Sequence, residues 1–112
     1  MANSLADRRK YNRKSIDTVV DIKLLIDGEL YVDEGRVRDI SVGGLKFESC
    51  HKLSQKEVVI SFCNGPFLAG TEVKSRVTRM VKDGLTYLYG VEFKGLKLRE
   101  KTKIWYMVND IA

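Results

Sequence analysis

The feature that most constrains the fold is a run of alternating apolar residues that ends in an Asp-Gly pair. From Val20 to Ile26 every second residue is apolar, which is the period of a strand with one buried face. Asp27-Gly28 follows at once, and a type I′ turn favours such a pair because both central residues need positive φ. The segment therefore predicts an antiparallel hairpin.

The same pattern predicts five further strands downstream. They span Glu29–Ile40, Leu45–Phe47, Val58–Phe62, Glu72–Lys82 and Leu85–Phe93. We expect the second strand to be bent or bulged near Asp33–Gly35, and Gly90 to mark a kink or a close backbone approach. Asp83-Gly84 gives the second hairpin signal. Six short strands with two such turns favour a closed or nearly closed antiparallel barrel.

The C-terminal segment has a different period. After Gly95 the apolar residues follow helical spacing, which predicts a helix over about 97–110 that packs Trp105 on an open end of the barrel. A nucleic-acid or membrane contact is the less favoured role for this helix. In the fifth strand, Val73, Val77 and either Met80 or Val81 are expected to face inward.

Length and charge limit the possibilities further. A chain of 112 residues accommodates one domain, and we predict a flexible basic arm at residues 1–15 before a single barrel domain at 16–112. The chain has no apolar run long enough for a bilayer, and its first ten residues have no apolar stretch. We therefore expect no secretory signal, no membrane insertion and a cytoplasmic location.

The positive charge is concentrated in one place. The formal net charge is +5, and residues 8–14 contain five cations and no anion. Without that heptad the chain has equal numbers of cationic and anionic residues. Such a concentrated arm suits a small polyanion as well as a nucleic acid.

Catalytic and metal-binding residues are few. The chain has two cysteines, Cys50 and Cys63, and one histidine, His51, which is too few for an ordinary zinc site. Neighbouring residues of a strand point to opposite faces, so Cys50 and His51 do not suit a nucleophile and base. We expect both thiols to be reduced and in or near the core, and His51 to be a solvated loop residue. No enzyme activity, metal or cofactor is predicted.

Two short motifs carry the functional signal. Arg9 and Arg13 form RxxxR directly after Arg8, and Asp39–Gly44 reads DxSxxG at the end of the second strand. Each motif is weak alone, because the arginines also suit a solubilising tail and Asp39-x-Ser41 also suits a turn that caps backbone amides. Their order and separation, before a Tyr-Gly-Val-Glu-Phe strand and a terminal helix, are much more specific.

With these motifs the chain resembles a stand-alone PilZ domain, the bacterial receptor module for cyclic di-GMP. The resemblance covers the chain from about Arg8 to the terminal helix. It implies a six-stranded barrel, no catalysis, and a ligand held between the RxxxR arm and the DxSxxG strand. Many members carry an aromatic residue near the ligand on the fifth strand, but residues 76–80 contain none. The implied ligand-binding residues are Arg8, Arg9, Arg13, Asp39, Ser41, Gly43 and Gly44.

The residue chemistry agrees with this resemblance. An arginine fork binds guanine O6 and N7 or a phosphate bidentately. A carboxylate such as Asp39 accepts from the N1–H and amino donors of guanine. Ser41 is two residues further on and would face the same side within a strand. Gly43 and Gly44 would let the backbone turn and approach the ligand closely.

Two functional hypotheses compete, and the receptor is favoured. Ligand binding would draw the arm across the barrel and change the surface offered to an unidentified downstream protein. The alternative is a small barrel that binds single-stranded nucleic acid through its basic arm, although the strands are charge-balanced and carry no basic and aromatic stripe. Arg8 adds a third guanidinium directly before RxxxR, and the resemblance to the family implies that an arginine at this place helps to hold two cyclic di-GMP molecules per chain. The alternative is that Arg8 only adds long-range attraction.

Overall fold

The structure is a computed structural model and describes residues 13–63 and 68–109. It consists of six strands followed by one helix. In chain order these are β1 Lys14–Ile26, β2 Glu29–Ile40, β3 Gly44–Ser49, β4 Glu57–Phe62, β5 Glu72–Asp83, β6 Thr86–Phe93 and α1 Leu98–Val108. β1 begins six residues before Val20, where the alternating apolar pattern starts, so the end of the basic segment is part of the sheet.

The strands form a closed barrel in the order β1-β2-β3-β6-β5-β4. Every neighbouring pair is antiparallel, and the pairing of β1 with β4 closes the barrel. A closed barrel leaves no strand edge along its wall. The predicted six-stranded antiparallel barrel with a C-terminal helix is confirmed.

The two hairpin turns differ in type. Asp27 and Gly28 both have positive φ, at 51° and 82°, which confirms the predicted type I′ turn. In the second hairpin Asp83 pairs with Thr86, so the loop residues are Gly84 and Leu85. Only Gly84 has positive φ, at 62°, which is the type II′ pattern. The turn therefore lies one residue later than predicted, and β6 begins at Thr86 instead of Leu85.

Gly35 is required for packing and does not mark a bulge. The pairing of β2 with β1 is regular from Glu29 to Val37, so β2 has no bulge near Asp33–Gly35. A Cβ added at Gly35 would lie 2.9 Å from Phe47 Cδ1 and 3.2 Å from Ile22 Cδ1. The glycine therefore lets two large core side chains fill the barrel.

The core fills the barrel and extends to the helix. Phe47 and Tyr89 are stacked at its centre with ring centroids 5.1 Å apart, and both are almost fully buried. Ile104 and Val108 of α1 are buried in the same cluster. Burial of side chains of this size stabilises the fold by about 1.5–3 kcal/mol each, which fixes α1 on the barrel.

Several predicted core positions are exposed instead. Met80 and Val81 are 41% and 43% exposed, because β4 pairs with β5 only as far as Arg76. Beyond that point the β5–β6 hairpin has no opposite wall. Trp105 is 48% exposed, because the buried stripe of α1 runs through Ile104 and Val108 instead.

Both cysteines are also exposed, so the predicted location of the thiols in or near the core is wrong. Cys50 follows β3 and Cys63 follows β4, each just past the end of its strand. Both are free thiols, as expected. Within residues 13–63 and 68–109, no helix has the length and apolar character needed to cross a membrane.

Candidate functional site

A one-residue bulge in β2 turns Asp39 outward. Val37 pairs with Phe47 of β3 and Asp39 pairs with Lys46, which leaves Arg38 without a partner residue in the register. Gly35 and Val37 face the core, so unbroken alternation would also bury residue 39. The bulge shifts this alternation by one residue. It therefore places the Asp39 carboxylate on the outer surface and Ile40 in the core.

Arg13 contacts this carboxylate directly. Its Nη1 donates a 2.7 Å hydrogen bond to Asp39 Oδ1. The contact follows from the sheet, because Lys14 and Ser15 pair with Ile40 and Asp39. Asp39 Oδ2 has no hydrogen-bond partner within the described parts of the chain. The last arginine of RxxxR and the first residue of DxSxxG are thus adjacent, whereas Arg8 and Arg9 lie outside the described residues.

Ser41 shapes the loop between β2 and β3. Its hydroxyl donates to Gly44 O at 3.3 Å and accepts from Gly43 N at 3.2 Å. Its backbone N–H also donates to Gly44 O at 2.8 Å, and the side chain is buried. β2 ends at Ile40, so strand alternation does not extend to Ser41. The expectation that Ser41 would face the same side as Asp39 is therefore not met.

Gly43 and Gly44 attach this loop to β6. Gly43 O accepts a 2.9 Å hydrogen bond from Phe93 N. A Cβ at Gly44 would lie 1.9 Å from Val91 O, a distance that no side chain tolerates. Neither glycine has positive φ. Gly44 is therefore needed because two strands approach each other closely, and Gly43 and Gly44 anchor one end of the loop to β6.

A row of outward-facing residues extends from Asp39 across three neighbouring strands. Asp39 pairs with Lys46, Lys46 pairs with Gly90, and Gly90 pairs with Arg79. Lys46 lies between the buried Leu45 and Phe47, so it points outward. Gly90 has space for a Cβ, which would lie 3.6 Å from Arg79 Cβ. The result is a bare backbone patch between two cations.

These two cations differ from three ion-paired arginines of the same wall. Arg36 pairs with Asp17, Arg38 with Glu48, and Arg76 with Glu57. Lys46 and Arg79 have no ion-pair partner in the part of the chain that the structure describes. Sequence analysis missed both because only the register places them beside Asp39. The signal that could have indicated this part of the surface was Gly90, because a glycine within a strand leaves the sheet without a side chain at that position.

Two of the remaining reactive side chains in the described part of the chain contact aspartates. His51 Nδ1 lies 2.8 Å from Asp33 Oδ1, and its side chain is 73% exposed, as expected for a solvated loop residue. Desolvation and a hydrogen bond with Asp21 raise the pKa of the Cys63 thiol, which disfavours the nucleophilic thiolate. Among the described residues no cluster of His, Cys, Asp and Glu suits a metal ion.

The sequence and fold comparisons identify the family. The profile of the PilZ domain family matches residues 7–110, so the chain belongs to the PilZ domain family. No curated protein matches the chain.

Solved structures share the fold at low sequence identity. Escherichia coli YcgR in complex with c-di-GMP has a TM-score of 0.69 at 12% identity, over 93% of this chain and 46% of that chain. The K. pneumonia MrkH-c-di-GMP complex has a TM-score of 0.69 at 18% identity, over 93% and 52%. The Bacillus subtilis inhibitor of motility MotI/DgrA has a TM-score of 0.67 at 18% identity, over 92% and 50%. The chain thus spans about half the length of these proteins.

Proposed function

We propose that this chain is a non-enzymatic receptor for cyclic di-GMP. The observation that carries the proposal is the Arg13–Asp39 contact, since it brings the two motifs together on the outer surface of the barrel. Membership in the PilZ family supports it. So do the YcgR and MrkH structures, which are described as complexes with this nucleotide.

The exposed chemistry matches a guanine dinucleotide. Asp39 Oδ2 is available to accept from guanine N1–H and the amino group, while Oδ1 holds the Arg13 guanidinium. Arg9 and Arg13 supply planar forks for guanine O6 and N7 or for phosphate. Charge-assisted contacts of this kind are among the strongest hydrogen bonds in proteins.

The row beyond Asp39 extends the binding surface. Adjacent strands lie about 4.8 Å apart, so Gly90 is roughly 10 Å and Arg79 roughly 14 Å from Asp39 across the sheet. This span suits a dinucleotide that lies flat over the glycine. Lys46 and Arg79 then attract its phosphates, and Arg79 can stack on a base. This arrangement compensates for the missing aromatic residue in β5.

Ser41, Gly43 and Gly44 contribute mainly through the backbone. The Ser41 hydroxyl is committed to its own loop, and that loop presents the Ile40–Gly44 backbone beside the carboxylate. We propose that these residues position the loop against the ligand, with Ser41 in contact through its backbone more than through its hydroxyl.

Two cyclic di-GMP molecules bind per chain in this proposal. Arg8 supplies a third guanidinium directly before RxxxR, and a stacked pair of ligands carries twice the phosphate charge of one. Binding draws residues 1–12 across the barrel, and the changed surface acts on a downstream protein. The driving energy is the differential affinity of the ligand for the wrapped state.

Calorimetric titration with cyclic di-GMP tests the proposal. We expect saturable binding that neither GTP nor a short single-stranded RNA displaces at equal concentration. Displacement by RNA together with no heat from cyclic di-GMP would favour the nucleic-acid alternative and overturn the receptor function.

A further inference from the structure

The outward face of α1 presents large apolar side chains to solvent. Leu98 is 80% exposed, Trp105 48% and Tyr106 42%. The two aromatic rings contact each other edge to face, with centroids 5.4 Å apart. Trp and Tyr are the residues that most often dominate the binding energy of protein interfaces. Exposed together on one helix, they mark an interaction surface.

Beside these rings is a depression whose far wall belongs to the loop between β2 and β3, residues 41–43, which we call the ligand loop. It has a volume of about 220 Å³ and is lined by Val42, Lys101, Thr102, Trp105 and Tyr106. Val42 lies in the loop between β2 and β3, next to the buried Ser41. The depression is large enough for an apolar side chain, and its polar rim is formed by Lys101 and Thr102.

The surroundings of this face are strongly basic. Residues 94–103 contain five cations and one anion, Glu100. Glu100 accepts a 3.0 Å hydrogen bond from Lys97 N at the start of the helix. Lys101 lies one turn before Trp105. Arg99 lies two turns before Tyr106, and Lys103 lies slightly less than one turn before it. None of these three cations forms an ion pair within residues 13–63 and 68–109.

We propose that this face binds an acidic protein segment that inserts a large apolar side chain between Val42 and Trp105. A second copy of this helix and the basic segment at residues 8–14 carry the same sign of charge, so both are disfavoured. A single-stranded nucleic acid stacks its bases on open ring faces, whereas these rings contact each other and wall a depression. Acidic charge with an apolar anchor fits both features.

Val42 couples the surface to the ligand loop. A ligand that shifts residues 40–44 also moves one wall of the depression, so the affinity for the acidic segment changes with ligand. This coupling rests on the proposed cyclic di-GMP function, whereas the docking surface does not.

Peptide display on the whole chain tests the surface. A library of random 12-residue peptides is selected on the wild type, with prior depletion on Trp105→Ser, and the enriched peptides are synthesised. We expect them to be rich in Asp and Glu around a Leu, Phe or Trp. Their affinity, measured by fluorescence anisotropy, should fall at least roughly tenfold in Trp105→Ser and about threefold or more in Lys101→Glu.

Matched control variants distinguish specific binding at this surface from nonspecific hydrophobic or electrostatic binding. Leu85→Ser removes an apolar residue that is 95% exposed in the β5–β6 turn, and Lys82→Glu reverses an exposed cation at the end of β5. Both should leave affinity unchanged. Peptides without acidic enrichment, or unchanged binding to Trp105→Ser and Lys101→Glu, would overturn the proposal. The proposal would also be overturned by a dimer that Trp105→Ser disrupts, or by oligothymidine binding that Trp105→Ser abolishes.

Repeating the titration with saturating cyclic di-GMP tests the coupling. A peptide affinity that changes at least threefold supports it, and an unchanged affinity refutes the coupling while the docking surface stands. If the chain binds peptide but no cyclic di-GMP, the proposed receptor function fails and the docking surface is retained.

Discussion

Arg13 Nη1 lies 2.7 Å from Asp39 Oδ1, and this contact joins two motifs that are 26 residues apart in the chain. The side chains retain 30% and 21% of their exposure. Ion pairs near the surface contribute about 0–1 kcal/mol to stability. The contact therefore matters less for folding than for the orientation of the two groups that we propose recognise cyclic di-GMP.

Loss of either motif arginine should weaken ligand binding without unfolding the protein. Arg9→Ala and Arg13→Ala each remove charge-assisted hydrogen bonds of about 1.5–3 kcal/mol, so the Kd for cyclic di-GMP should rise roughly 10- to 100-fold. Calorimetric titration measures the Kd. Lys23→Ala, which breaks the Lys23–Glu72 ion pair on the β1–β4 side, is the control. Unchanged affinity in the double alanine variant would refute the site.

Asp39→Asn distinguishes ligand recognition from loop support. The amide preserves the shape but replaces a charged acceptor, so affinity should fall by roughly tenfold or more, while the melting temperature should change little. Titration and thermal melting, performed on the same sample, measure both quantities. A large drop in melting temperature with normal affinity per folded molecule would instead assign Asp39 to capping the turn.

Arg8 should set the ligand stoichiometry. Wild-type protein should bind two cyclic di-GMP molecules per chain, and Arg8→Leu should bind one, with a weaker site that retains Arg9, Arg13 and Asp39. Titration at two salt concentrations is informative, because long-range attraction alone fades as the Debye length shortens to about 8 Å. One ligand per wild-type chain at saturation would exclude the stacked pair.

Two glycines of the site should respond oppositely to an added side chain. Gly44→Ala places a Cβ against Val91 O and should destabilise the fold by at least about 3 kcal/mol. Gly90→Leu has room for its Cβ and should change stability by less than about 1 kcal/mol. The Gly90→Leu substitution should nevertheless weaken the binding of cyclic di-GMP at least about tenfold, which is equivalent to roughly 1.4 kcal/mol of binding free energy. Urea unfolding measures the stability of both variants, and calorimetric titration measures their affinity for cyclic di-GMP. Wild-type affinity in Gly90→Leu would show that the row from Lys46 to Arg79 is not part of the binding site.

Tyr89→Phe should destabilise the barrel through its lost hydroxyl. The hydroxyl accepts from Leu53 N at 2.7 Å and donates to His51 O at 2.8 Å, so the loss is about 1–3 kcal/mol. Tyr31→Phe, at a half-exposed phenol, is the control. If urea unfolding gives equal stability for both variants, these hydrogen bonds contribute nothing.

The same phenol predicts a pH dependence. Burial raises the pKa of Tyr89 above its ordinary value of 10.0, so the folded state retains a proton that the unfolded state loses. The stabilisation is complete below pH 10 and is lost as pH rises through the folded pKa. Wild type should therefore lose stability in this range relative to Tyr89→Phe, as urea unfolding at several pH values would measure.

The fold was largely predictable because its signals are local. Apolar alternation from Val20 to Ile26 and the Asp27-Gly28 pair specify a hairpin without reference to the rest of the chain. Met80, Val81 and Trp105 were misplaced because their exposure depends on where a neighbouring strand ends or which helical stripe reaches the barrel. The apolar character of a residue reveals neither where the neighbouring strand ends nor which face of the helix packs on the barrel.

The site was predictable in its motifs but not in its geometry. The DxSxxG motif singles out Asp39 as a candidate acceptor, and the contact of Asp39 with Arg13 follows from pairing of β1 with β2. Lys46 and Arg79 belong to no motif, and they lie near Asp39 only through the order of β2, β3, β6 and β5. The orientation of Ser41 was mispredicted because strand alternation was applied beyond Ile40, whereas the alternative of a turn that caps a backbone amide describes the hydrogen bond from Gly43 N to its hydroxyl.

The bulge at Arg38 makes the orientation of Asp39 depend on whether β2 accommodates an extra residue before it, more than on which residue occupies position 38. A substitution at this position leaves the count intact. Loss of the bulge at constant length would turn the strand end over, which would bury the carboxylate and expose Ile40. Deletion of Arg38 would remove the extra residue itself, so Val37 and Asp39 would still pair with Phe47 and Lys46 and the carboxylate would still face outward. Asp39 therefore keeps its orientation only when the extra residue and the bulge are present together or absent together.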